Sequence, residues 1–120
     1  MLPVPDDRAL AVARALLDAG TVTLRPHDPV TFKSGLRSPV YVDNRRLLSN
    51  PGPGKVVIEA FAQRIPDRDD LVIAGVEAAG IPHSSALAYA LGRPSVFVRK
   101  EAKGHGLGRR VEGGDVGGRT

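Results

Sequence analysis

The sequence contains no cysteine and no tryptophan. Without cysteine, disulfides and thiolate metal sites are excluded, and a reducing cytoplasm is the expected compartment. Aromatic residues amount to only three Phe and two Tyr, so a core has to be assembled from Val, Leu, Ile and Ala. No apolar run approaches the ~20 residues that a membrane-spanning helix needs. The N-terminus, Met-Leu-Pro-Val-Pro-Asp-Asp, has neither the basic n-region nor the apolar h-region of a signal peptide. A soluble intracellular protein with no membrane partner is therefore expected. At 120 residues the chain is one domain at most, long enough to bury a real core.

What is abundant is positive charge, unevenly placed. Of the net +4, residues 1–98 supply eleven Lys/Arg against ten Asp/Glu, while residues 99–120 supply six against three. Five of those cations, with His105 and three glycines, crowd into Arg99-Lys-Glu-Ala-Lys-Gly-His-Gly-Leu-Gly-Arg-Arg110. A local excess of this kind points to an anionic partner, either phosphate on a small molecule or a nucleic acid backbone. A solvated basic tail is the plain alternative.

The hydrophobic pattern gives an α/β order. Asp6 to Gly20 reads as a helix capped by Asp6 or Asp7, with Leu10, Ala13, Leu16 and Leu17 on one face and Gly20 at C′. Thr21-Val-Thr-Leu24 is a short β-type run, and Thr31-Phe-Lys33 is extended. Ser34-Gly-Leu-Arg37 is a hairpin turn, and Pro39-Val-Tyr-Val-Asp43 nearly alternates. Asn50-Pro-Gly-Pro-Gly54 breaks the pattern, after which Lys55 to Ile65 shows helical spacing. Leu71 to Val76 is a continuous apolar run, as expected of a central parallel strand. Gly80-Ile-Pro-His83 opens a helix with Pro82 suited to N1, ending at Gly92, and a strand follows over Ser95 to Arg99. Strand, helix and strand make a βαβ unit with parallel strands. Residues 100–113 read as a glycine-rich surface loop, and Gly113-Gly-Asp-Val-Gly-Gly118 as a turn that introduces another strand.

In open parallel sheets ligands bind at the carboxyl ends of the strands. Two segments lie there. In Glu77-Ala-Ala-Gly80 a strand meets a helix start, so backbone N–H groups and the helix dipole would face an anion; a tight turn without a ligand fits equally. In the basic segment, Arg99 and Lys100 stand at the strand end, and Lys103 and His105 farther out, on a backbone free enough to close over a charged substrate. Gly104-His-Gly-Leu-Gly108 is neither a dinucleotide fingerprint nor a P-loop, lacking the glycine spacing of the one and the Gly-Lys-Ser/Thr of the other.

Three segments occur in the order and spacing of one family: Thr31-Phe-Lys-Ser-Gly-Leu-Arg-Ser-Pro-Val-Tyr-Val-Asp43, Val76-Glu-Ala-Ala-Gly-Ile-Pro82 and Val98-Arg-Lys-Glu-Ala-Lys-Gly-His-Gly106. The chain resembles the orotate phosphoribosyltransferases over nearly its whole length. The resemblance implies a type I phosphoribosyltransferase fold: a parallel sheet flanked by helices, with a small N-terminal hood. The segments would be helix and hood over 1–50, α/β core over 51–98, a flexible basic lid over 99–113 and a turn over 114–120. It also implies transfer of the phosphoribosyl group of phosphoribosyl pyrophosphate to orotate, giving orotidine 5′-monophosphate for pyrimidine biosynthesis. Mg2+ would be carried by the pyrophosphate. By the same resemblance Lys103 and His105 are lid residues reaching the pyrophosphate, and Arg99 and Lys100 are further phosphate contacts. Lys33 would contact phosphoribosyl pyrophosphate, Tyr41 and Val42 would hold orotate, and a homodimer would complete each site with its neighbour's lid. On pattern alone, Lys33 is a hairpin-edge lysine and Tyr41 a strand residue covering the core.

The sequence departs from the family at two places. Where many members have Tyr-Lys before Gly-Ile-Pro, this chain has Ala78 and Ala79, which leaves the backbone to hold phosphate. The family's ribose-phosphate loop, two acids followed by Thr-Thr-Gly, is absent from the 120 residues, and Asp69-Asp70 precedes a strand rather than ending one. The fold is thus expected to be incomplete at its C-terminus, as an N-terminal portion of a longer enzyme or a natural truncation, with little activity alone. A non-catalytic relative that binds phosphoribosyl pyrophosphate or nucleotides is the alternative. An RNA-binding tail is disfavoured, because no aromatics interleave with the basic residues to stack bases.

Overall fold

A computed structural model describes residues 6–102, 104 and 109–120. They divide into two compact units, Met1–Val57 and Ile58–Thr120.

The first unit opens with helix α1, Asp7–Asp18. The Asp6 carboxylate accepts from Ala9 N at 2.7 Å, capping an N–H that no helical carbonyl reaches. Gly20, at φ +65°, takes the left-handed position after the helix end. The buried face is not the leucine stripe that periodicity suggests. Leu10 and Leu17 are exposed, and Ala15 and Ala19 pack with Leu47 and Val57, flanked by Val12, Leu16 and Val56. Small side chains allow close approach there, which a spacing rule weighted towards large residues overlooks. Thr21 is fully buried, and its hydroxyl donates to the Leu16 carbonyl oxygen at 2.9 Å.

Two antiparallel pairs follow. Strand β1, Val22–Leu24, pairs with β4, Val40–Val42, and β2, Val30–Thr31, pairs with β3, Arg37–Ser38. The hairpin turn starts earlier than expected. Phe32 N donates to Leu36 O and Gly35 N to Phe32 O, so Lys33 sits in the turn rather than on an extended segment. A 3-10 helix over Asn44–Ser49, capped by Asp43, has no counterpart in the sequence reading.

Helix α2 spans Pro51–Ala62 and crosses from the first unit into the second. It begins inside the Pro-Gly-Pro-Gly stretch, not at Lys55, and stops before Ile65. Proline lacks only an N–H that has no partner in a first helical turn, so Pro51 and Pro53 are compatible with a helix start.

The second unit is built on β5, Ile73–Val76, helix α3, Gly80–Leu91, and β6, Ser95–Val98. β5 and β6 are parallel, in register from Ile73↔Ser95 to Val76↔Val98. β6 also pairs antiparallel with β7, Val111–Glu112, through Val98↔Val111 and Phe97↔Glu112. Thus β6, rather than β5, carries a ladder on both sides, and residues 100–113 are not loop throughout. The free edge of β5 starts one further pairing: Thr120 N donates to Asp70 O at 3.2 Å, and Val72 N donates to Thr120 O at 2.9 Å. That alternation is the parallel ladder pattern. Pro82 is the third residue of α3, not the first, and the helix buries Ser84, Leu87 and Ala88.

Candidate functional site

The β5–α3 junction is shaped by Gly75. A Cβ placed there would overlap Ser84 Oγ and stand 2.7 Å from the Gly80 carbonyl oxygen. Only glycine lets the first turn of α3 lie directly on the strand. The chain leaves β5 through Glu77, crosses a cis peptide bond to Ala78 and enters α3 at Gly80. Ala79 is the N-cap and supplies no side-chain bond; Ile81 N donates to Ala78 O at 3.3 Å and Pro82 carries no N–H, which leaves the Gly80 N–H with no side-chain acceptor among the described residues. Aligned peptide dipoles give such a helix start a partial positive charge. His83, in the same turn, has a buried Nε2 without a hydrogen-bond partner among the described residues.

Beside this turn, β6 ends in Arg99 and Lys100. Glu77 N donates to Val98 O at 2.9 Å, extending the parallel ladder by one rung. The Glu77 carboxylate then accepts from Lys100 N at 2.7 Å. From the other side, Arg99 N donates to Arg110 O at 2.7 Å, and the Arg110 guanidinium donates to Arg99 O at 3.1 Å and Lys100 O at 2.9 Å. The Arg99 guanidinium turns to Glu112 on β7, at 3.4 Å, and its Nε is buried without a partner among the described residues. Lys100 is exposed, and its ammonium group has no partner among the described residues. The carboxyl ends of two parallel strands therefore present a helix start without a side-chain cap and this ammonium group, the arrangement that favours an anion.

Ala78, Ala79, Arg99 and Lys100 thus lie together in the second unit, with Ala78 and Ala79 exposed. Lys103 and His105 lie outside the described residues. Lys33, Tyr41 and Val42 belong to the first unit. Lys33 is exposed in the β2–β3 turn, and Val42 is exposed at the end of β4. Tyr41 is half-buried opposite Thr23, its ring 6.2 Å from that of Phe32. Next to Val42, the bidentate Arg45 guanidinium beside Asp43 holds that carboxyl below the usual carboxylate range. Sequence reasoning did not assign roles to Glu77 and Arg110. A charged residue ending an apolar strand run was the available signal for Glu77; nothing distinguished Arg110 from Arg109.

Among the described residues no group of three or more His, Asp or Glu could hold a metal ion, and no helix is long and apolar enough to cross a membrane.

No protein-family model matches the chain. Individual proteins do. It is 43% identical over 107 residues to the orotate phosphoribosyltransferase of Enterococcus faecalis, covering 88% of this chain and 51% of that protein. The solved orotate phosphoribosyltransferase of Aeropyrum pernix superposes with a TM-score of 0.68 at 33% identity, over 85% of this chain and 57% of that one. The UMP synthase of Leishmania donovani gives a TM-score of 0.69 at 32% identity, over 89% of this chain and 22% of that one. The chain spans about half the length of the curated relatives it matches. The three-segment motif, the βαβ unit and these likenesses agree: the chain is a homologue of the orotate phosphoribosyltransferases and has the mixed α/β fold of the type I phosphoribosyltransferases.

Proposed function

We propose that this chain forms the diphosphate-binding and orotate-binding part of an orotate phosphoribosyltransferase site, acting in pyrimidine nucleotide biosynthesis. In that reaction the bond from the ribose anomeric carbon to the pyrophosphate oxygen breaks, and pyrophosphate leaves with the electron pair. A bond from the orotate ring nitrogen to that carbon forms. Orotate arrives as an anion, so no general base is required. Negative charge grows on the leaving group, and cations placed against it bind the transition state more tightly than the ground state.

One observation carries the reading: the start of α3, without a side-chain cap, and Lys100, whose ammonium group has no partner among the described residues, share the carboxyl ends of β5 and β6. Lys103 and His105, by their place in the family motif, would extend that charge over the leaving group. A single such contact is worth about 3 kcal/mol. Arg99, held by Glu112, would contribute field rather than a direct contact. Lys33, Tyr41 and Val42 would serve phosphoribosyl pyrophosphate and orotate, as the resemblance implies. Magnesium enters on the diphosphate, as part of the substrate. A homodimer and a cytoplasmic location follow from the same resemblance.

Calorimetric titration of the chain with magnesium phosphoribosyl pyrophosphate, and then with orotate, tests this. Saturable binding of both is expected, and failure to bind either would refute it. A second reading is a non-catalytic binder of phosphoribosyl pyrophosphate, since Ala78 and Ala79 stand where many family members supply a phosphate-binding lysine. Binding of phosphoribosyl pyrophosphate without binding of orotate would favour the second reading; orotidine monophosphate formation in a radiometric assay would refute it.

A further inference from the structure

All four backbone polar groups of the dipeptide Arg99-Lys100 are engaged, three of them by two side chains. Glu77 takes the Lys100 N–H at 2.7 Å, and one Arg110 guanidinium takes the carbonyls of Arg99 and Lys100 at 3.1 Å and 2.9 Å. The fourth, Arg99 N, bonds Arg110 O. A strand end beside a glycine-rich segment would ordinarily fray, because no ladder partner continues. Here it is clamped between the turn that leaves β5 and the strand that returns as β7. The clamp uses charged groups on neutral backbone partners, which makes each bond stronger than an amide pair.

We propose that Glu77 and Arg110 are positioning residues: they fix the Arg99-Lys100 backbone next to the turn that leads into α3, so that the Lys100 ammonium group meets a diphosphate bound at that turn. This rests on the diphosphate reading given above and adds the two groups that hold the cation in place. The charge of Glu77 sharpens the inference. A carboxylate near an anion site weakens anion binding by repulsion, so a residue with no positioning role would, on removal, leave pyrophosphate bound as before or more tightly. A positioning residue does the opposite.

The test is calorimetry of the 120-residue chain with inorganic pyrophosphate. Glu77→Ala is expected to weaken binding roughly fivefold, the equivalent of one net hydrogen bond. Glu77→Gln keeps an acceptor for Lys100 N without the charge and is expected to bind at least as tightly as wild type. Arg110→Lys keeps the charge but loses the fork, and is expected to weaken binding by a similar factor. Lys100→Ala retains its backbone N–H, so the cycle with Glu77→Ala isolates the positioning effect. The double variant should bind no more weakly than Lys100→Ala alone, because nothing is left to position. Equal losses from Glu77→Ala with and without Lys100, or no loss at all in the wild-type background, would overturn the positioning role. Absence of saturable pyrophosphate binding by the wild type would instead remove the diphosphate reading, and this inference with it. Amide exchange at Lys100, protected in wild type and fast in Glu77→Ala, checks the bond itself without any ligand; unchanged protection would also overturn the inference.

Discussion

Gly75→Ala should be among the most damaging single-methyl additions in the second unit. The new Cβ would overlap Ser84 Oγ, and it would stand 2.7 Å from the Gly80 carbonyl oxygen and 3.0 Å from its carbon. A hydroxyl can rotate away; a carbonyl in the first turn of α3 cannot move without lifting the helix from β5. Overpacking costs ~1–3 kcal/mol, and a clash against backbone belongs at the upper end, about 3 kcal/mol. For a chain of this size each kcal/mol shifts Tm by about 4 °C, so a fall of roughly 12 °C is expected in circular dichroism melts. Gly75→Ala with Ser84→Ala relieves the hydroxyl overlap alone and should recover less than half of the loss. A Gly75→Ala protein melting within 2 °C of wild type, or full rescue by Ser84→Ala, would refute the close strand–helix approach. The 77–80 turn depends on that approach, so pyrophosphate binding should weaken in Gly75→Ala even well below its Tm.

Two further outcomes follow from other parts of the chain. Thr21→Val preserves volume at a fully buried position but removes the hydroxyl bond to Leu16 O, which keeps its bond from Thr21 N; a loss of about 1 kcal/mol in urea unfolding is expected. Arg68, and then the Thr120 hydroxyl, hold the Asp70 carboxyl below its ordinary value. A carboxyl depressed in the folded state adds stability that is present above the unfolded value, near 3.9, and lost as pH falls through the folded value. Asp70→Asn should therefore flatten the stability profile below about pH 4 while leaving its shape near neutrality unchanged; an unaltered acid limb would contradict the assignment.

Much of the fold is legible where local chemistry and tertiary packing agree. Asp6 and Gly20 bracket α1, Gly92 ends α3, and the apolar runs over 71–76 and 95–98 become β5 and β6. Most of the failures have their cause in contacts distant along the chain. The buried face of α1 is set by Ala15 and Ala19 meeting Leu47 and Val57, so small residues outrank the leucines. β7 exists because Val111 and Glu112 find Val98 and Phe97 across a glycine-rich stretch with no strand signal of its own. At Pro51 a residue that breaks helices internally starts one. In the candidate site the cations and the strand-to-helix turn were legible as residue types. The Glu77 and Arg110 clamp was not, since it depends on which backbone groups three separate segments bring within hydrogen-bond reach.

The claim that two parallel strand ends form a diphosphate site is tested most directly by amide chemical shifts recorded while inorganic pyrophosphate is added. The account predicts saturable movement at Gly80, Ile81 and Lys100, with α1 unmoved. Shifts confined to Arg14, Arg37 or other scattered cations, or shifts that never saturate, would mean that the positive charge after β6 binds no particular ligand.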